Sequence, residues 1–149
     1  DEKNRPQFRR NIQPLMEYLS THYNTPVPQA AAAERMNLTP CHFSRAFKEY
    51  VGVSYVTYVN MLRIENAIEQ LLSTDCSVLD AAMDCGFNNI RTFNRVFKEI
   101  TGHTPTEFCK LSDPKYPEYK VRKQFFTPKQ TIVAVEDSGV IVTAKKEME

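Results

Sequence analysis

Cysteine and histidine side chains are the first candidates for chemistry, because thiolates and imidazoles bind metals and act as nucleophiles or bases. The chain of 149 residues holds four cysteines and three histidines: Cys41, Cys76, Cys85, Cys109, His22, His42 and His103. Successive cysteines are 35, 9 and 24 residues apart, so no C-x-x-C pair exists. We therefore predict no metal, no cofactor and no catalytic site, and we expect reduced thiols that pack as small apolar side chains.

Basic side chains are the second set of candidates, because they recur at a fixed spacing. Arg45 and Lys48 return as Arg95 and Lys98, and no acidic residue occurs from position 35 to 48 or from 85 to 98. In the DNA major groove, Arg pairs with guanine and Asn with adenine. This local pattern indicates nucleic acid recognition, although 19 basic against 18 acidic residues give the whole chain no bulk attraction for a polyanion.

An internal repeat brings these residues into two equivalent elements. Residues 43–49 recur as residues 93–99, and the match continues through Gly52 and Gly102. Extended towards the N-terminus at the same offset, it pairs Ala31-Ala32 with Ala81-Ala82. Two copies of one small fold in series are the expected consequence.

Apolar periodicity and capping residues predict a mainly α fold of seven helices. Thr39-Pro40 is typical of a helix start, Gly52 and Gly102 of helix ends, and Thr104-Pro105-Thr106-Glu107 of a capping box. The predicted helices are 11–23, 28–36, 40–52, 54–73, 78–85, 89–101 and one that opens at 105. They form two helix-turn-helix subdomains joined by a long linker helix at 54–73, in which Val59, Leu62, Leu71 and Leu72 are expected to face inward.

The second helix of each repeat presents polar residues opposite its apolar stripe. At about 100° per residue, Phe43 and Phe47 mark the inner side of one helix, and Phe93 and Phe97 that of the other. A linker helix of roughly 30 Å matches the 34 Å or so between successive major grooves. The candidate DNA-binding residues are Cys41, His42, Ser44, Arg45 and Lys48 in the first helix, and Arg91, Thr92, Asn94, Arg95 and Lys98 in the second.

The stretch from Ala31 to Lys110 resembles the DNA-binding domain of the arabinose-regulator (AraC/XylS) family of bacterial transcription regulators. With the preceding helix, the resemblance covers about two thirds of the chain. Departures from the family pattern are Cys41, Ala81 and Cys109. The matching elements are Arg63-x-x-x-Ala67 with Leu71-Leu72, Gly86-Phe87, Phe93-x-x-x-Phe97-Lys98 and Gly102-x-Thr104-Pro105-x-x-Phe108.

The resemblance implies a monomeric module that binds double-stranded DNA through the second helix of each unit, as the output domain of a regulator, an activator by analogy. The reduced thiols predict that this module is cytoplasmic. It adds Ile90 to the candidate contacts, where a thymine methyl would be its partner. It also implies RNA polymerase as a partner, and a fused sensor or dimerisation domain outside this chain. No run of about 18 apolar residues exists, so no membrane span is expected.

Three regions follow from this interpretation. Residues 1–10 are expected to be a linker from an upstream module, and residues 11–110 the tandem helix-turn-helix domain. Residues 111–149 form a C-terminal extension in which Val- and Ile-rich arms flank Glu136-Asp137-Ser138-Gly139, which predicts a β-hairpin at 131–144.

Two other functions compete with DNA recognition. Pro40-Cys41-His42 resembles the core of DNA alkyl-transferring proteins, some of which carry this family's domain. However, Phe43 follows where Arg is expected, and the second repeat has no equivalent cysteine. We therefore predict that the chain is not an enzyme. The remaining alternative is a protein-interaction module that has the same fold and does not read DNA.

Overall fold

The computed structural model describes residues 5–111, and the side chains of residues 7–110. This part of the chain is mainly α and contains no strand, as predicted. The expected hairpin at 131–144 lies outside the described residues. The seven helices are α1 (Arg5–His22), α2 (Gln29–Arg35), α3 (Pro40–Val51), α4 (Tyr55–Ser73), α5 (Val78–Asp84), α6 (Ile90–Thr101) and α7 (Pro105–Leu111).

Local capping chemistry sets most of the helix boundaries. Thr39 precedes α3, and its hydroxyl oxygen accepts a hydrogen bond from the His42 amide at 3.2 Å. Asn89 does the same for α6, where its side-chain oxygen accepts from the Thr92 amide at 2.8 Å. These side chains satisfy first-turn amides that have no partner within the helix. The start of α3 predicted from Thr39-Pro40 is therefore confirmed, and Asn89, predicted as the first residue of a helix, is instead the cap that precedes α6.

Helix α1 begins earlier than the sequence suggested. It starts at Arg5, and Phe8 is buried, with its ring centroid 5.3 Å from that of Tyr50 in α3. Phe8 precedes Ile12 by one helical turn, so it extends the inward stripe of α1. Residues 5–10 thus belong to α1, and the predicted helix start at residue 11 is six residues too late. The prediction failed because the charge and the proline around Phe8 concealed that single apolar position.

The buried residues form two clusters. The first joins α1, α2 and α3 to the first half of α4, and the second joins the rest of α4 to α5, α6 and α7. Helix α4 supplies side chains to both: Tyr55, Tyr58, Val59 and Leu62 to the first cluster, and Ile64 and Ala67 to the second.

The inward stripe of α4 differs in part from the predicted one. Leu72 is 46% exposed, contrary to expectation, whereas Leu71 packs against the second cluster. Ile64, Ala67, Ile68 and Leu71 follow the i, i+3, i+4, i+7 spacing of one helical face, and Leu72 lies about 100° away from Leu71. The adjacent leucines could not both continue the stripe.

Aromatic packing repeats between the two clusters. Phe43 and Phe47 have ring centroids 5.5 Å apart, and so do Phe93 and Phe97. Phe47 meets Tyr58 edge-on at 5.7 Å, and Phe97 meets Phe108 edge-on at 5.4 Å. The internal repeat is therefore a repeat of structure, with the same rings holding the second helix of each unit.

The offset of the repeat changes at the turn. The buried alanine pair of α2 is Ala32-Ala33, which corresponds to Ala81-Ala82 of α5. The pairing of Ala31-Ala32 with Ala81-Ala82 is thus wrong by one residue. The offset is 49 before the turn and 50 after it, because the second turn is one residue longer. Ala31 is exposed.

Candidate nucleic-acid interface

Helix α3 carries the first set of candidate residues on the side away from the core. Phe43, Phe47, Tyr50 and Val51 are buried on one side of the helix. Of the predicted contacts, Cys41, His42, Arg45 and Lys48 are exposed and Ser44 is half-buried. No acidic residue lies in the first turn of α3. The structure therefore brings all five predicted residues to one accessible end and side of this helix.

Helix α6 repeats this arrangement in the second unit. Phe93, Val96, Phe97 and Thr101 are buried, and the first turn again contains no acidic residue. Ile90, the first residue of the helix, is 36% exposed, which leaves an apolar side chain at the accessible N-terminal end. The other predicted contacts are exposed or, for Thr92, half-buried: Arg91, Thr92, Asn94, Arg95 and Lys98.

The two equivalent arginines differ in their surroundings. The Arg95 guanidinium is paired with the Glu99 carboxylate at 2.9 Å, between side chains that are 62% and 60% exposed. Within the described part of the chain, Arg45 and Glu49 form no corresponding pair. Sequence reasoning missed the Arg95–Glu99 contact. The i, i+4 spacing allows such a pair, but Arg45 and Glu49 have the same spacing, so spacing alone does not predict it. A DNA contact by Arg95 would have to compete with Glu99.

The turn before α6 is shaped by a close backbone contact. Gly86 has φ +101°, and a Cβ atom there would lie 2.9 Å from the Asn24 Cα. Phe87 follows it and is buried, with its ring 5.2 Å from that of Phe93 in α6. The equivalent position of the first unit is Asn37, which adopts φ +58°. Gly86 thus lets the turn approach the chain after α1, and Phe87 fixes it to α6.

The cysteines are dispersed between the surface and the core. Cys41 is exposed, Cys76 and Cys109 are half-buried, and Cys85 is buried; all four are free thiols. Burial raises the pKa of Cys85 to about 11, with smaller contributions from Asp84 and Cys76. Burial also raises the pKa of Cys109. These two thiols are protonated at neutral pH, so neither is an activated nucleophile. In the described residues no three His, Cys, Asp or Glu side chains come together as a metal site.

A membrane span needs a helix that is both long and apolar, and none of the described helices meets both conditions.

Comparison with known proteins identifies the fold and the family. A helix-turn-helix domain family matches residues 32–110, more than half of the chain. An uncharacterized HTH-type transcriptional regulator of Staphylococcus aureus is 30% identical over 97 residues. The matched region is 65% of this chain but 13% of that relative. The bifunctional transcriptional activator and DNA repair enzyme AdaA of Bacillus subtilis is 29% identical over 98 residues, which are 66% of this chain and 46% of AdaA. The chain thus spans less than half the length of these relatives.

Two solved structures of domains from other proteins share this fold. The C-terminal domain of AraT, a response regulator from Geobacillus stearothermophilus, matches with a TM-score of 0.62 and 26% identity, covering 66% of this chain and 83% of that domain. The DNA-binding domain of AdpA, solved with a target DNA, matches with a TM-score of 0.66 and 19% identity, over 72% of this chain and 97% of that domain. Given the extent of the family match and these shared architectures, the chain belongs to the AraC-type helix-turn-helix family of transcription regulators.

Proposed function

We propose that this chain binds double-stranded DNA sequence-specifically, with α3 and α6 as two recognition helices in successive major grooves. The observation that carries the proposal is the repeated surface of these helices. Each helix is held by equivalent aromatic contacts. Each presents accessible basic side chains, and the first turn of each contains no acidic residue. The AdpA domain of similar fold was solved with DNA, which supports the assignment.

The two recognition helices would differ in how much sequence they read. On α6, Arg91 and Arg95 have the geometry to donate two hydrogen bonds to guanine, Asn94 suits adenine, and Ile90 suits a thymine methyl. On α3, Cys41 occupies the N-terminal end, and Arg45 is the one arginine, whereas α6 has two. Most base discrimination is therefore assigned to α6, and α3 contributes more through phosphate contacts.

The linker role of α4 belongs to this proposal. Its 19 residues span about 28 Å at 1.5 Å per residue, and its side chains enter both clusters. That length suits a separation of one DNA turn, about 34 Å. A monomer would then cover two adjacent major grooves on one face of the duplex.

Within a bacterial regulator, this module would act in the cytoplasm as the output domain. An activator role through RNA polymerase, and a sensor or dimerisation domain fused to this chain, agree with the activator described for AdaA and with the much greater length of the relatives. The effector would then be recognised by those other parts.

Selection of bound sequences from a random duplex pool tests the proposal. We expect a site with two half-sites about one helical turn apart. Arg91→Ala or Arg95→Ala should weaken binding by about 5- to 150-fold, equivalent to 1–3 kcal/mol, and relax one position of the site. Arg10→Ala, an exposed change on α1, is the charge-matched control. Unchanged affinity of both α6 variants would show that the assigned face is wrong.

A protein-interaction module of the same fold remains the second candidate. Leu79 and Met83, one turn apart on α5, are 50% and 44% exposed, and such a pair suits a partner protein. Gel-shift experiments with genomic fragments at low and moderate salt separate the two functions. Shifts that depend on sequence support DNA binding, and the absence of any shift supports the interaction module.

A further inference from the structure

The segment that follows α1 connects the two units at a second place, apart from α4. Its residues Tyr23 to Thr25 come from the first unit, yet Tyr23 packs against both hydrophobic clusters. Burial raises the pKa of the Tyr23 hydroxyl, and Cys85 of the second cluster raises it further. This segment is therefore in contact with both halves of the molecule.

Arg63 of α4 holds this segment. Its Nε donates a hydrogen bond to the Tyr23 carbonyl oxygen at 2.7 Å, and its Nη2 donates to the Thr25 carbonyl oxygen at 3.3 Å. The guanidinium carbon lies 5.7 Å from the Phe87 ring centroid, on the turn before α6. One half-buried side chain thus contacts an element of the first unit and an element of the second. The rigid, planar fork of Arg suits two carbonyls at once.

The same segment also lies against the turn of the second unit. Backbone atoms of Asn24 lie 2.9–3.1 Å from the position that a Cβ on Gly86 would take. Phe87, next to Gly86, packs edge-on against Phe93 in α6 at 5.2 Å. Displacement of the segment would therefore move the turn, and the turn is attached to the recognition helix.

We propose that the contacts among Arg63, the Tyr23–Thr25 backbone and the Gly86-Phe87 turn, here called the inter-unit joint, fix α6 relative to α3 and so set the half-site spacing that this chain accepts in DNA. Arg63 is a positioning residue, since it lies outside the recognition faces. This inference rests on the proposed function. A single helix shared by two clusters fixes their separation, and the joint adds a second attachment that resists rotation of one unit about α4.

A spacing series tests the inference. Duplexes carry the two selected half-sites with zero, one or two base pairs added or removed between them, and a further duplex carries one half-site. The chain with Arg63 should lose about tenfold or more in affinity on a two-base-pair change, because rigidly linked sites bind together at only one separation. Arg63→Gln should bind the original duplex about tenfold more weakly, lose less than about threefold across the series, and keep its affinity for one half-site.

Two further variants separate positioning from folding. Arg63→Lys keeps the charge but cannot reproduce the two-pronged contact, so its spacing profile should be intermediate. Arg10→Gln removes one exposed positive charge on α1 and should keep the original profile. A purely structural role for Arg63 would lower the affinity for one half-site and for all spacings by the same factor, and that result overturns the inference.

A measurement without DNA completes the test. Spin labels at Glu49→Cys and Glu99→Cys, equivalent exposed positions of α3 and α6, report the distance between the two helices in a background whose accessible native cysteines are serine. We expect one narrow distance distribution, and a broader one with Arg63→Gln. Equal widths, or a steep spacing preference retained by Arg63→Gln, overturn the inference alone. If the unaltered chain selects no DNA site, the proposed function fails and the inference fails with it.

Discussion

Arg45 and Arg95 occupy the same position in the two repeats, and their acidic neighbours Glu49 and Glu99 follow at the same spacing. Only the second arginine is paired with its neighbour within the described residues. Both side chains of that pair are exposed, so the pair is weak, about 0.2–1 kcal/mol. It nevertheless occupies one guanidinium nitrogen, Nη1, that could otherwise donate to a guanine or a phosphate.

Glu99→Gln should therefore increase affinity for the selected duplex by about 1.5- to 5-fold, which is the free energy of an exposed ion pair. Glu49→Gln is the matched control, because it removes the same charge beside an arginine that is not paired with it. Fluorescence anisotropy at low salt measures both. An equal gain from the two variants would mean that only long-range repulsion of DNA is relieved, and that the pair does not compete with binding.

Two glycines with positive φ, Gly86 and Gly102, differ in the space that a Cβ atom would find. Gly102 ends α6 at φ +84°, and nothing lies within 4 Å of a Cβ placed there. Gly86 has φ +101° and faces the Asn24 backbone at 2.9 Å. Gly102→Ala therefore costs only the strain of a left-handed backbone conformation, about 1–2 kcal/mol. Gly86→Ala adds a steric clash with the Asn24 backbone, which cannot relieve the clash by changing a side-chain rotamer.

Gly86→Ala should thus lower the free energy of unfolding by about 1–3 kcal/mol more than Gly102→Ala does, since overpacking costs that much in addition to strain. Urea denaturation of both variants beside the unaltered chain gives the difference. Equal destabilisation would show that the segment after α1 moves away at little cost. In that case the contacts of the inter-unit joint would resist displacement less than their short distances indicate.

At the scale of helices, a boundary could be predicted from the sequence where the capping contacts join residues that are close along the chain. Thr39-Pro40 and Gly52 marked the ends of α3, and Thr104 with Glu107 marked the start of α7, because each cap bonds within three or four residues. The start of α1 could not be predicted in the same way, since Phe8 becomes a core residue through its contact with Tyr50, 42 positions away.

The capping contacts at the start of α7 should make the stability of the fold depend on pH. The Glu107 carboxylate accepts a hydrogen bond from the Thr104 amide at 2.8 Å, and the Glu107 amide donates to the Thr104 hydroxyl at 3.1 Å. The backbone hydrogen bond is the main reason why the pKa of Glu107 lies below its ordinary 4.5. A carboxyl with a lowered folded-state pKa contributes stability above its unfolded pKa, and that stability is lost as pH falls through the folded value.

Glu107→Gln should then be less stable than the unaltered chain at pH 7, and the difference should shrink as pH falls below about 4.5. The amide can still accept the bond from Thr104, so the variant isolates the charge. Glu17→Gln on α1 controls for the loss of one exposed carboxylate. Thermal unfolding from pH 7 to pH 3 tests this. A difference that grows on acidification would contradict the sign of the pKa shift.

At the scale of the whole molecule, the sequence was enough to predict the repeat and the sides of α3 and α6 that face solvent. No feature of the sequence predicted the contacts of the inter-unit joint. Arg63 was visible only as part of a family motif, and its hydrogen bonds go to backbone carbonyls 40 and 38 positions away, which any residue could supply. Nor could the offset of 49 before the turn be read from identities, because the alanines of α2 run consecutively and fit either register.

Charge distribution over the molecule predicts how DNA binding depends on salt. The chain has nearly equal numbers of basic and acidic residues, and five of its 19 basic residues lie on the exposed faces of α3 and α6. Non-specific attraction should therefore be weak, while the specific complex releases the counterions displaced by its own contacts. If all the cations of these faces meet the DNA backbone or grooves, the slope of log affinity against log salt is about −4 to −5. These cations are Arg45, Lys48, Arg91, Arg95 and Lys98.

Lys48→Gln and Lys98→Gln, at equivalent positions of α3 and α6, should each make that slope shallower by about one, because each removes one phosphate contact without changing the preferred sequence. Arg10→Gln should leave the slope as it is. Titrations between about 50 and 200 mM salt distinguish the cases. A shallower slope for Lys98→Gln alone would mean that only α6 contacts DNA closely, and slopes unchanged by either lysine would place the DNA on a different face of the molecule.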